Sequence, residues 1–382
     1  MSEWKTLSDI VERKICYGIV QPGNKGGNVP VIKVNNMIAG LNSIEDLETT
    51  TEEIASKYER TKLKGGELII SLVGTVGVTA IVPHAFAGCN LVRATGLIDI
   101  KDEILAKYVK YYLETKSAKE FLFGRLNTTV QPTLNVKTLE NLPIPIINRQ
   151  KMIAIVSFLS TLDEKIAVNR RICKNLEAQA QALFKHWFID FAPFKDGKFV
   201  ESELGMIPEG WKAGSLGDIA EFKRGKTITK AETKDGTIPV VAGGMEPAYY
   251  HSQSNTSSRV ITISGSGANA GFTRMYFQPV WASDCSFLDN ASTSLLHTVY
   301  CYLKSNKKKV DALQWGAAQP HVYAKDINKL PFVIAPIEVL NNFEKLVFEM
   351  FDCIELHDKE NIRLSALRDA LLPKLMSGQI KL

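Results

Sequence analysis

Apolar residues recur at alternating intervals of three and four positions along two long stretches of the chain. The first stretch runs from Met152 to Trp187 and the second from Leu340 to Leu375, each over five heptads. A stripe with this 3.5-residue period predicts a coiled-coil helix. A helix of about 40 residues is roughly 60 Å long, and it cannot bury such a stripe alone. We therefore expect the two helices to pack against each other in antiparallel orientation.

The second helix is a copy of the first, because adding 188 to each stripe position gives the matching position of the second stripe. A central layer of Asn169, Cys173, His357 and Asn361 interrupts both stripes at the same level. We interpret it as a polar layer that fixes the register, because two Asn, one Cys and one His are poorly matched metal ligands. The seam positions that we expect to be buried are Leu159, Leu162, Ile166, Leu176, Leu183, Val347, Met350, Ile354, Leu364 and Leu371.

The segments that precede the helices repeat as well. Short runs of Val, Ile and Thr between Gly, Pro and Asn turns predict short strands, and one short helix is expected at 105–113 and one at 294–304. The repeated pairs are 4–10 with 211–219, 29–31 with 238–240, 68–77 (LIISLVGTVG) with 260–271 (VITISGSGANAG), Gln131-Pro132 with Gln319-Pro320, and Leu142-Pro143 with Leu330-Pro331.

The repeat predicts an α+β fold, in which two globular domains of mixed α/β structure are separated by two long antiparallel coiled-coil helices in a pseudo-twofold repeat. Residues 191–210 carry Pro, Gly and charges and are expected to form a linker. The expected segments are a globular domain at 1–147, a long helix at 148–190, the linker at 191–210, a second globular domain at 211–336 and a second long helix at 337–379.

Composition places the chain among soluble globular proteins, with 45% hydrophobic and 23% charged residues. No apolar run reaches the length of a membrane span, and residues 1–5 lack the pattern of a signal peptide. The six cysteines are scattered without a CxxC pair, which favours reduced thiols in a cytosolic protein. The net charge of +5 is a weak indication of nucleic-acid binding.

Motifs that would indicate catalysis are missing from the sequence. Gly225-Lys226-Thr227 resembles the end of a phosphate-binding loop, but Ala220 stands where that loop requires glycine. No two prolines are adjacent, so the Asn/Asp-Pro-Pro-aromatic motif of amino-methyltransferases is excluded. The loop 265–271 has the wrong glycine spacing for a dinucleotide, and the six histidines form no metal motif. We expect no catalytic or metal site in this chain.

Seven short segments, which follow one another in a fixed order along the sequence, carry a family resemblance. They are 148–154 (NRQKMIA), 159–166 (LSTLDEKI), 175–177 (NLE), 183–185 (LFK), 187–191 (WFIDF), 203–211 (ELGMIPEGW) and 367–378 (LRDALLPKLMSG). Within the duplicated frame, this ordered set resembles the specificity (S) subunits of type I restriction-modification systems, and the resemblance covers the whole chain.

The resemblance implies that each globular domain is a target recognition domain that reads one half of a bipartite, asymmetric site on double-stranded DNA. The paired helices would set the spacer between the half-sites and dock two modification (methyltransferase) subunits. Restriction-translocase subunits would join the full complex in a bacterial or archaeal cytoplasm. The chain would hold no cofactor, because S-adenosylmethionine and ATP with Mg²⁺ would be used by the partners.

Side chains that read base edges are Arg or Lys for guanine, Asn or Gln for adenine, and Ser or Thr for several bases. Two loops per domain offer such residues. The first is a glycine loop, at 71–77 and 264–274, and the second is a pre-helix loop, at 125–131 and 314–321. A basic cluster is a candidate for phosphate contacts. Ordinary turns are the alternative, and Gln131 and Gln319 could serve the scaffold because both copies have them. The candidates are Ser71, Gly74, Thr75, Arg125, Asn127, Thr128 and Gln131 in the first domain, and Ser264, Ser266, Asn269, Arg274, Gln314, Trp315, Gln319 and His321 with the phosphate candidates Lys223, Arg224 and Lys226 in the second.

Other charged residues leave two interpretations open. The run 307–309 (KKK) could contact phosphate or form a solvated face. Outward positions of the helices could contact the methyltransferase or face solvent, and the examples are Arg170, Arg171, Lys174, Glu355 and Lys359.

Two other functions compete with DNA recognition. A protein-binding scaffold or adaptor would not retain DNA in a sequence-selective manner, and salt would hardly affect its interactions. The recognition arm of a single-chain restriction enzyme would be accompanied by nuclease or methyltransferase motifs, which this sequence lacks.

Overall fold

The computed structural model describes residues 3–23, 26–126, 131–316 and 319–380. It divides into two compact units, one made of Met1–Ile166 with Ile362–Leu382 and the other of Ala167–Asn361. Each of the two longest helices contributes one part to each unit. In the described part of the chain, no helix combines the length and hydrophobicity needed to cross a membrane.

The first unit contains nine strands and five short helices before the first long helix begins, counted over the described residues. The strands are β1 (Glu3–Thr6), β2 (Cys16–Tyr17), β3 (Val29–Ile32), β4 (Glu48–Thr50), β5 (Leu68–Ser71), β6 (Thr79–Ile81), β7 (Asn90–Leu91), β8 (Thr95–Ile98) and β9 (Pro143–Ile146). The helices are α1 (Val34–Ala39), α2 (Glu52–Ser56), α3 (Glu103–Glu114), α4 (Lys116–Phe123), α5 (Val136–Glu140) and the long α6 (Arg149–Phe188), which continues into the second unit.

After a hairpin, the second unit repeats the order of the nine strands but has three short helices before its long helix, counted over the described residues. The strands are β10 (Phe199–Ser202), β11 (Gly205–Pro208), β12 (Lys212–Ser215), β13 (Lys223–Arg224), β14 (Ile238–Val241), β15 (Tyr249–His251), β16 (Val260–Ser264), β17 (Thr273–Tyr276), β18 (Trp281–Ala282), β19 (Cys285–Asp289) and β20 (Pro331–Ile334). The helices are α7 (Leu296–Ser305), α8 (Lys307–Asp311), α9 (Ala324–Ile327) and the long α10 (Ile337–Met376), which continues into the first unit.

The sheets of the two domains have the same topology, which confirms the duplicated fold. The four-stranded sheets follow the orders β2-β8-β5-β6 and β13-β19-β16-β17, and the three-stranded sheets follow β4-β3-β7 and β15-β14-β18. The first and last strands of each domain pair as β1-β9 and β12-β20. Pro143 and Pro331 each begin the closing strand, a position that tolerates proline because no ladder hydrogen bond is lost there.

The two long helices each span 40 residues, as the heptad pattern predicts. In the first unit, Leu159 of α6 packs with Leu372 and Leu375 of α10. In the second unit, the rings of Phe188 and Phe343 lie 4.9 Å apart. In the second unit the helices meet at Asn169 with Asn361 and again at Phe188 with Phe343, so their segments run antiparallel there.

The predicted seam accounts for only part of the buried helix surface. Leu159, Ile166, Val347 and Ile354 are buried. The six other predicted seam residues are half-buried, namely Leu162, Leu176, Leu183, Met350, Leu364 and Leu371. A second apolar row, with Phe184, Phe188 and Phe351, packs in the core of the second domain. The helices face a domain as well as each other, and this widens their apolar face beyond a two-stranded seam.

The central layer is a hydrogen-bonded polar layer. Asn169 is fully buried, and its Nδ2 donates to Asn361 Oδ1 at 3.0 Å and to Glu360 Oε2 at 2.7 Å. The Cys173 thiol donates to the carbonyl oxygen of Ile354 at 3.8 Å. Glu360 is a member of this layer that the heptad pattern does not predict.

Residues 191–210 form ordered structure in place of an extended linker. The strands β10 and β11 pair as a hairpin. Before the hairpin, the rings of Phe191 and Phe194 pack against Trp211 at 5.5 and 4.9 Å. The aromatic residues of this segment therefore anchor it to the second domain.

Candidate nucleic-acid interface

The glycine loop of the first domain is held rigid and presents an exposed tip. Ser71, at the end of β5, is buried, and its hydroxyl donates to the carbonyl oxygen of Thr75 at 2.6 Å and accepts from the Val78 N–H at 2.8 Å. Gly74 has φ +78°, a conformation that favours glycine. Gly74 and Thr75 are exposed. A bound molecule can therefore approach the backbone closely at this tip.

The Gln-Pro segment lies directly beside this loop. The Gly74 N–H donates to the carbonyl oxygen of Pro132 at 3.0 Å, and the Leu134 N–H donates to the carbonyl oxygen of Leu72 at 2.8 Å. Gln131 is exposed at the edge of the pair. The structure thus brings together the two loops that the sequence singles out separately.

The second domain repeats the arrangement. The Gly267 N–H donates to the carbonyl oxygen of Pro320 at 3.0 Å, and the Val322 N–H donates to the carbonyl oxygen of Gly265 at 3.0 Å. Gln319 is exposed, like its counterpart in the first domain. The same backbone hydrogen bonds therefore build the same surface twice.

A third segment is hydrogen-bonded to the glycine loop in each domain, and the sequence does not predict its place there. It is the turn at 92–94 between β7 and β8, and the turn at 283–284 between β18 and β19. The Leu72 N–H donates to the carbonyl oxygen of Ala94 at 2.7 Å, and the Gly265 N–H donates to that of Asp284 at 3.1 Å. We define the loop end of the first domain as residues 72–77, 92–94 and 131–134, and that of the second domain as 265–271, 283–284 and 319–322.

Four of the candidate base contacts are engaged within the domain. Ser71 and Ser264 are buried, and the Ser264 hydroxyl donates to the carbonyl oxygen of Gly243 at 2.9 Å. Gln314 Nε2 donates to the carbonyl oxygen of Ala270 at 2.9 Å. Arg274 donates to the carbonyl oxygen of Met245 at 3.1 Å, and its guanidinium lies 4.8 Å from the Tyr276 ring. In the free chain these side chains hold the loops in place, and their role as base contacts stays a prediction.

The half-buried residues of the second glycine loop also have internal contacts. The Ser266 hydroxyl donates to a carboxylate oxygen of Asp284. Asn269 is half-buried, and its carbonyl oxygen accepts from the Phe272 N–H at 2.9 Å. Cys285 follows the turn, and burial raises the pKa of its thiol to about 12, so the thiol stays protonated at neutral pH.

The exposed aromatic side chains of Trp315 and Tyr323 lie beside the second loop end. Trp315 is 64% exposed and exchanges two backbone hydrogen bonds with His321, at 2.8 and 2.9 Å. The His321 ring lies nearly parallel to that of Tyr323, with centroids 6.0 Å apart. Aromatic faces of this kind can pack on bases or sugars.

In the first domain, the residues before Gln131 are described only in part. The Arg125 guanidinium lies 4.0 Å from the Phe121 ring and donates to the carbonyl oxygen of Phe121 at 2.9 Å. The candidates Asn127 and Thr128, and the neighbouring Thr129, lie outside the described residues.

The basic cluster of Lys223, Arg224 and Lys226 is exposed beside the turn at 283–284. The Lys226 N–H donates to the carbonyl oxygen of Ala282 at 2.9 Å, and its own carbonyl oxygen accepts from Trp281 Nε1 at 2.8 Å. A side chain at the intervening Gly225 would place Cβ 2.4 Å from the Ser283 carbonyl oxygen, so this close approach requires glycine.

The strand register shows that this cluster belongs to the second domain alone. Lys223 and Arg224 pair with β19 as Cys16 and Tyr17 pair with β8. The third basic residue, Lys226, corresponds to Ile19, because the Ile19 N–H donates to the last residue of β7 and the Lys226 N–H donates to the last residue of β18. The two domains therefore carry different charge on the same backbone.

Among the other charged candidates, Glu355 does not face outward. Its carboxylate binds Arg259 at 2.5 Å, so it holds the helix against the second domain. Arg170, Arg171 and Lys174 are exposed on α6. Lys307 pairs with Asp311 at 2.5 Å. Within the described residues, no three His, Cys, Asp or Glu side chains are arranged to hold a metal ion.

A family model described as the type I restriction modification DNA specificity domain matches residues 1–178 and 208–365. The chain belongs to this family. The two matched segments correspond to the two copies of the repeat, each with a globular domain and part of the helix that follows it. Family membership and the duplicated loop ends thus rest on independent observations.

Individual relatives agree with the family. The type I restriction enzyme MjaIX specificity subunit of Methanocaldococcus jannaschii is 27% identical over 396 residues, covering 93% of this chain and 90% of the relative. The HindI specificity subunit of Haemophilus influenzae is 22% identical over 334 residues, covering 65% and 71%. A crystal structure of a type I restriction-modification S subunit from Mycoplasma genitalium has the same fold, with a TM-score of 0.52 and 18% identity over 98% of this chain and 96% of that one.

Proposed function

We propose that this chain is the DNA-recognition subunit of a type I restriction-modification complex, with one target recognition domain at 1–147 and the other at 211–336. The observation that carries the proposal is the loop end, which is built twice from the same backbone hydrogen bonds. Apart from the shared Gln-Pro pair and glycines, the two loop ends bear different side chains. A protein that reads two unlike half-sites requires this combination of a constant scaffold and variable contacts. The match to the family's DNA specificity domain supports the assignment.

The exposed residues of each loop end suit base readout. Thr75 and Gln131 in the first domain, and Gln319 in the second, carry hydroxyl or amide groups that can bond base edges. Lys223, Arg224 and Lys226 would bind phosphates in the half-site of the second domain. In the first half-site, partner subunits would supply more of the phosphate contacts.

The long helices would set the distance between the half-sites and dock the methyltransferase subunits. A 40-residue helix rises about 60 Å. The exposed Arg170, Arg171 and Lys174 are candidates for contacts with one of two methyltransferase subunits. S-adenosylmethionine and ATP with Mg²⁺ would be bound by partner subunits in the cytoplasm, and we expect no methylation or cleavage by this chain alone.

Exchange of one domain tests the proposal. If residues 1–147 are replaced by the first domain of another family member, one half of the methylated motif should change and the other half should persist. The measurement is methylome sequencing of a host that carries the chain with its modification subunit. The reciprocal exchange of 211–336 is the control and should change the opposite half. A change in both halves after either exchange would contradict the modular assignment, and a scaffold or adaptor protein would yield no motif.

Insertion into the helices tests their role as a spacer. Four residues added to α6 near Asn169, and four added at the matching level of α10 near Asn361, extend the pair by about 6 Å. The spacer of the methylated motif should lengthen by one or two base pairs while both half-sites stay the same, because one base pair rises about 3.4 Å. Insertion into one helix alone is the control and should impair assembly. An unchanged spacer in the double insertion would refute the role.

A further inference from the structure

The turn within the loop end differs between the two domains in both length and charge. In the first domain, Val92, Arg93 and Ala94 connect β7 to β8. In the second domain, Ser283 and Asp284 alone connect β18 to β19. A basic residue and an acidic residue thus occupy the same turn in two copies of one fold.

Hydrogen bonds establish which residues of the two turns correspond. The Val92 N–H donates to the last residue of β3, and the Ser283 N–H donates to the last residue of β14. At the other end of the turn, the carbonyl oxygens of Ala94 and Asp284 each accept an N–H from the glycine loop. Ala94 therefore corresponds to Asp284, and Arg93 is an additional residue of the first domain.

Arg93 lies at the tip of a tight turn and its side chain is exposed. The Thr95 N–H and hydroxyl both donate to the carbonyl oxygen of Val92, at 2.9 and 2.7 Å, and this closes the turn beneath Arg93. The Arg93 N–H donates to the carbonyl oxygen of Ile19 at 2.7 Å. Because the backbone on both sides is fixed, the guanidinium projects from a defined position next to the glycine loop.

Asp284 is half-buried among groups that leave room for its carboxylate. One of its oxygens accepts from the Ser266 hydroxyl. A glycine lies beside each carboxylate oxygen. A Cβ added at Gly265 would lie 3.2 Å from Asp284 Oδ1, and one added at Gly243 would lie 3.6 Å from Asp284 Oδ2. Within the described residues, Asp284 Oδ1 accepts no hydrogen bond and is free to accept one.

An acidic side chain on a DNA-facing surface repels phosphate, so Asp284 would not bind the DNA backbone. Lys223, Arg224 and Lys226 would make the phosphate contacts nearby. A carboxylate there has a productive role if it accepts from a base amino group, and the usual partner is cytosine N4. Arginine at the corresponding turn would donate to guanine O6 and N7. The basic turn of the first domain would therefore read the guanine of a G·C pair, and the acidic turn of the second domain would read the cytosine of such a pair.

We propose that Arg93 and Asp284 are specificity-determining residues, with Arg93 reading a guanine in one half-site and Asp284 reading a cytosine in the other. This inference rests on the proposed function. It requires that each half of the recognised motif contain at least one G·C pair. Discrimination at that pair would depend on the turn residue, whereas the remaining positions would depend on the other loop segments.

The test compares Arg93→Ala and Asp284→Asn in the full chain, co-expressed with its modification subunit. Asn at position 284 can still accept the Ser266 hydrogen bond, so the loop is preserved. Arg93→Ala should lower discrimination at one G·C pair of one half-site by roughly tenfold to a hundredfold, and Asp284→Asn should do the same in the other half only. Methylome sequencing reads the motif, and binding to DNA duplexes substituted at that pair measures the discrimination.

Lys57→Ala is the matched control, because it removes one positive charge from an exposed site of the first domain. It should leave the motif unchanged. A uniform loss of methylation with an unchanged motif would identify Arg93 as a phosphate contact and overturn the inference. Thermal unfolding of each complex checks that the variant chains are folded. Arg93→Lys is a second variant, which keeps the positive charge and should discriminate less well at the G·C pair. If the unaltered chain yields no bipartite motif, the proposed function itself fails.

Discussion

Replacing Phe343 with alanine is expected to lower the free energy of unfolding of the second unit by about 3–5 kcal/mol. Phe343 is fully buried on α10. Its ring lies 5.9 Å from that of Phe184, 4.9 Å from that of Phe188 and 5.7 Å from that of Trp187. Removal of the ring would leave a cavity bounded by these aromatic groups, because the structure around a deleted core side chain relaxes only partially. Urea denaturation followed by tryptophan fluorescence measures the loss.

Leu356→Ala is the control for this substitution, because Leu356 lies on the same helix and is 63% exposed. Its expected effect is within about 0.5 kcal/mol, as for most surface substitutions. Equal losses from the two variants would mean that the aromatic cluster does not form the core of this unit.

Replacing Asp163 with alanine is expected to destabilise the first unit by about 2–3 kcal/mol. Asp163 accepts from Arg368 at 2.8 Å, from the Tyr111 hydroxyl at 2.9 Å and from Lys110 at 3.2 Å. These bonds connect α3 of the domain with both long helices. Without the carboxylate, two positive charges remain close together and are largely removed from water. The expected loss lies below that of a fully buried pair because all three charged groups retain partial exposure.

The same network predicts an acid-sensitive contribution. Burial raises the pKa of Asp163, but Lys110 and the hydrogen bonds from Arg368 and Tyr111 outweigh it and hold the pKa below its usual value. The stabilisation is therefore present above the unfolded pKa of about 4 and is lost as the pH falls through the lower folded pKa. In urea denaturation, the stability difference between the unaltered chain and Asp163→Asn should shrink below about pH 4.

Asp369→Asn is the control for the acid dependence, because Asp369 also pairs with Arg368 but its side chain is 64% exposed. This exposed pair should contribute little at any pH. A difference for Asp163→Asn that stays constant down to pH 3 would contradict the assigned charge on Asp163.

The long helices could be predicted from the sequence because a heptad stripe is a local pattern. The predicted segment 148–190 contains the observed Arg149–Phe188. The wider apolar face, with Phe184 and Phe351, could not be predicted in the same way. The spacing of these residues along the helices indicates burial only when the position of the domain against the helices is known.

Residue type predicts where the loop ends lie but not which contacts their side chains make. Gly74 and Gln131 were singled out as loop residues, and they do lie at the exposed loop end. The hydroxyls of Ser71 and Ser264 donate to backbone carbonyl oxygens within their own domains, and residue type alone cannot distinguish such hydroxyls from free ones. The turn that carries Arg93 cannot be predicted from the sequence, because β7 and β18 are only two residues long and show no periodicity.

The loop ends are tied together through main-chain groups, as in the bond from the Leu134 N–H to the carbonyl oxygen of Leu72. A bond of this kind survives almost any change of side chain. Mutations at exposed positions such as Thr75 or Arg93 can therefore accumulate without loss of the folded domain. Inherited variation can then alter what is recognised while the protein remains stable. After the ancestral duplication, each copy was free to diverge in its contacts while both kept one architecture.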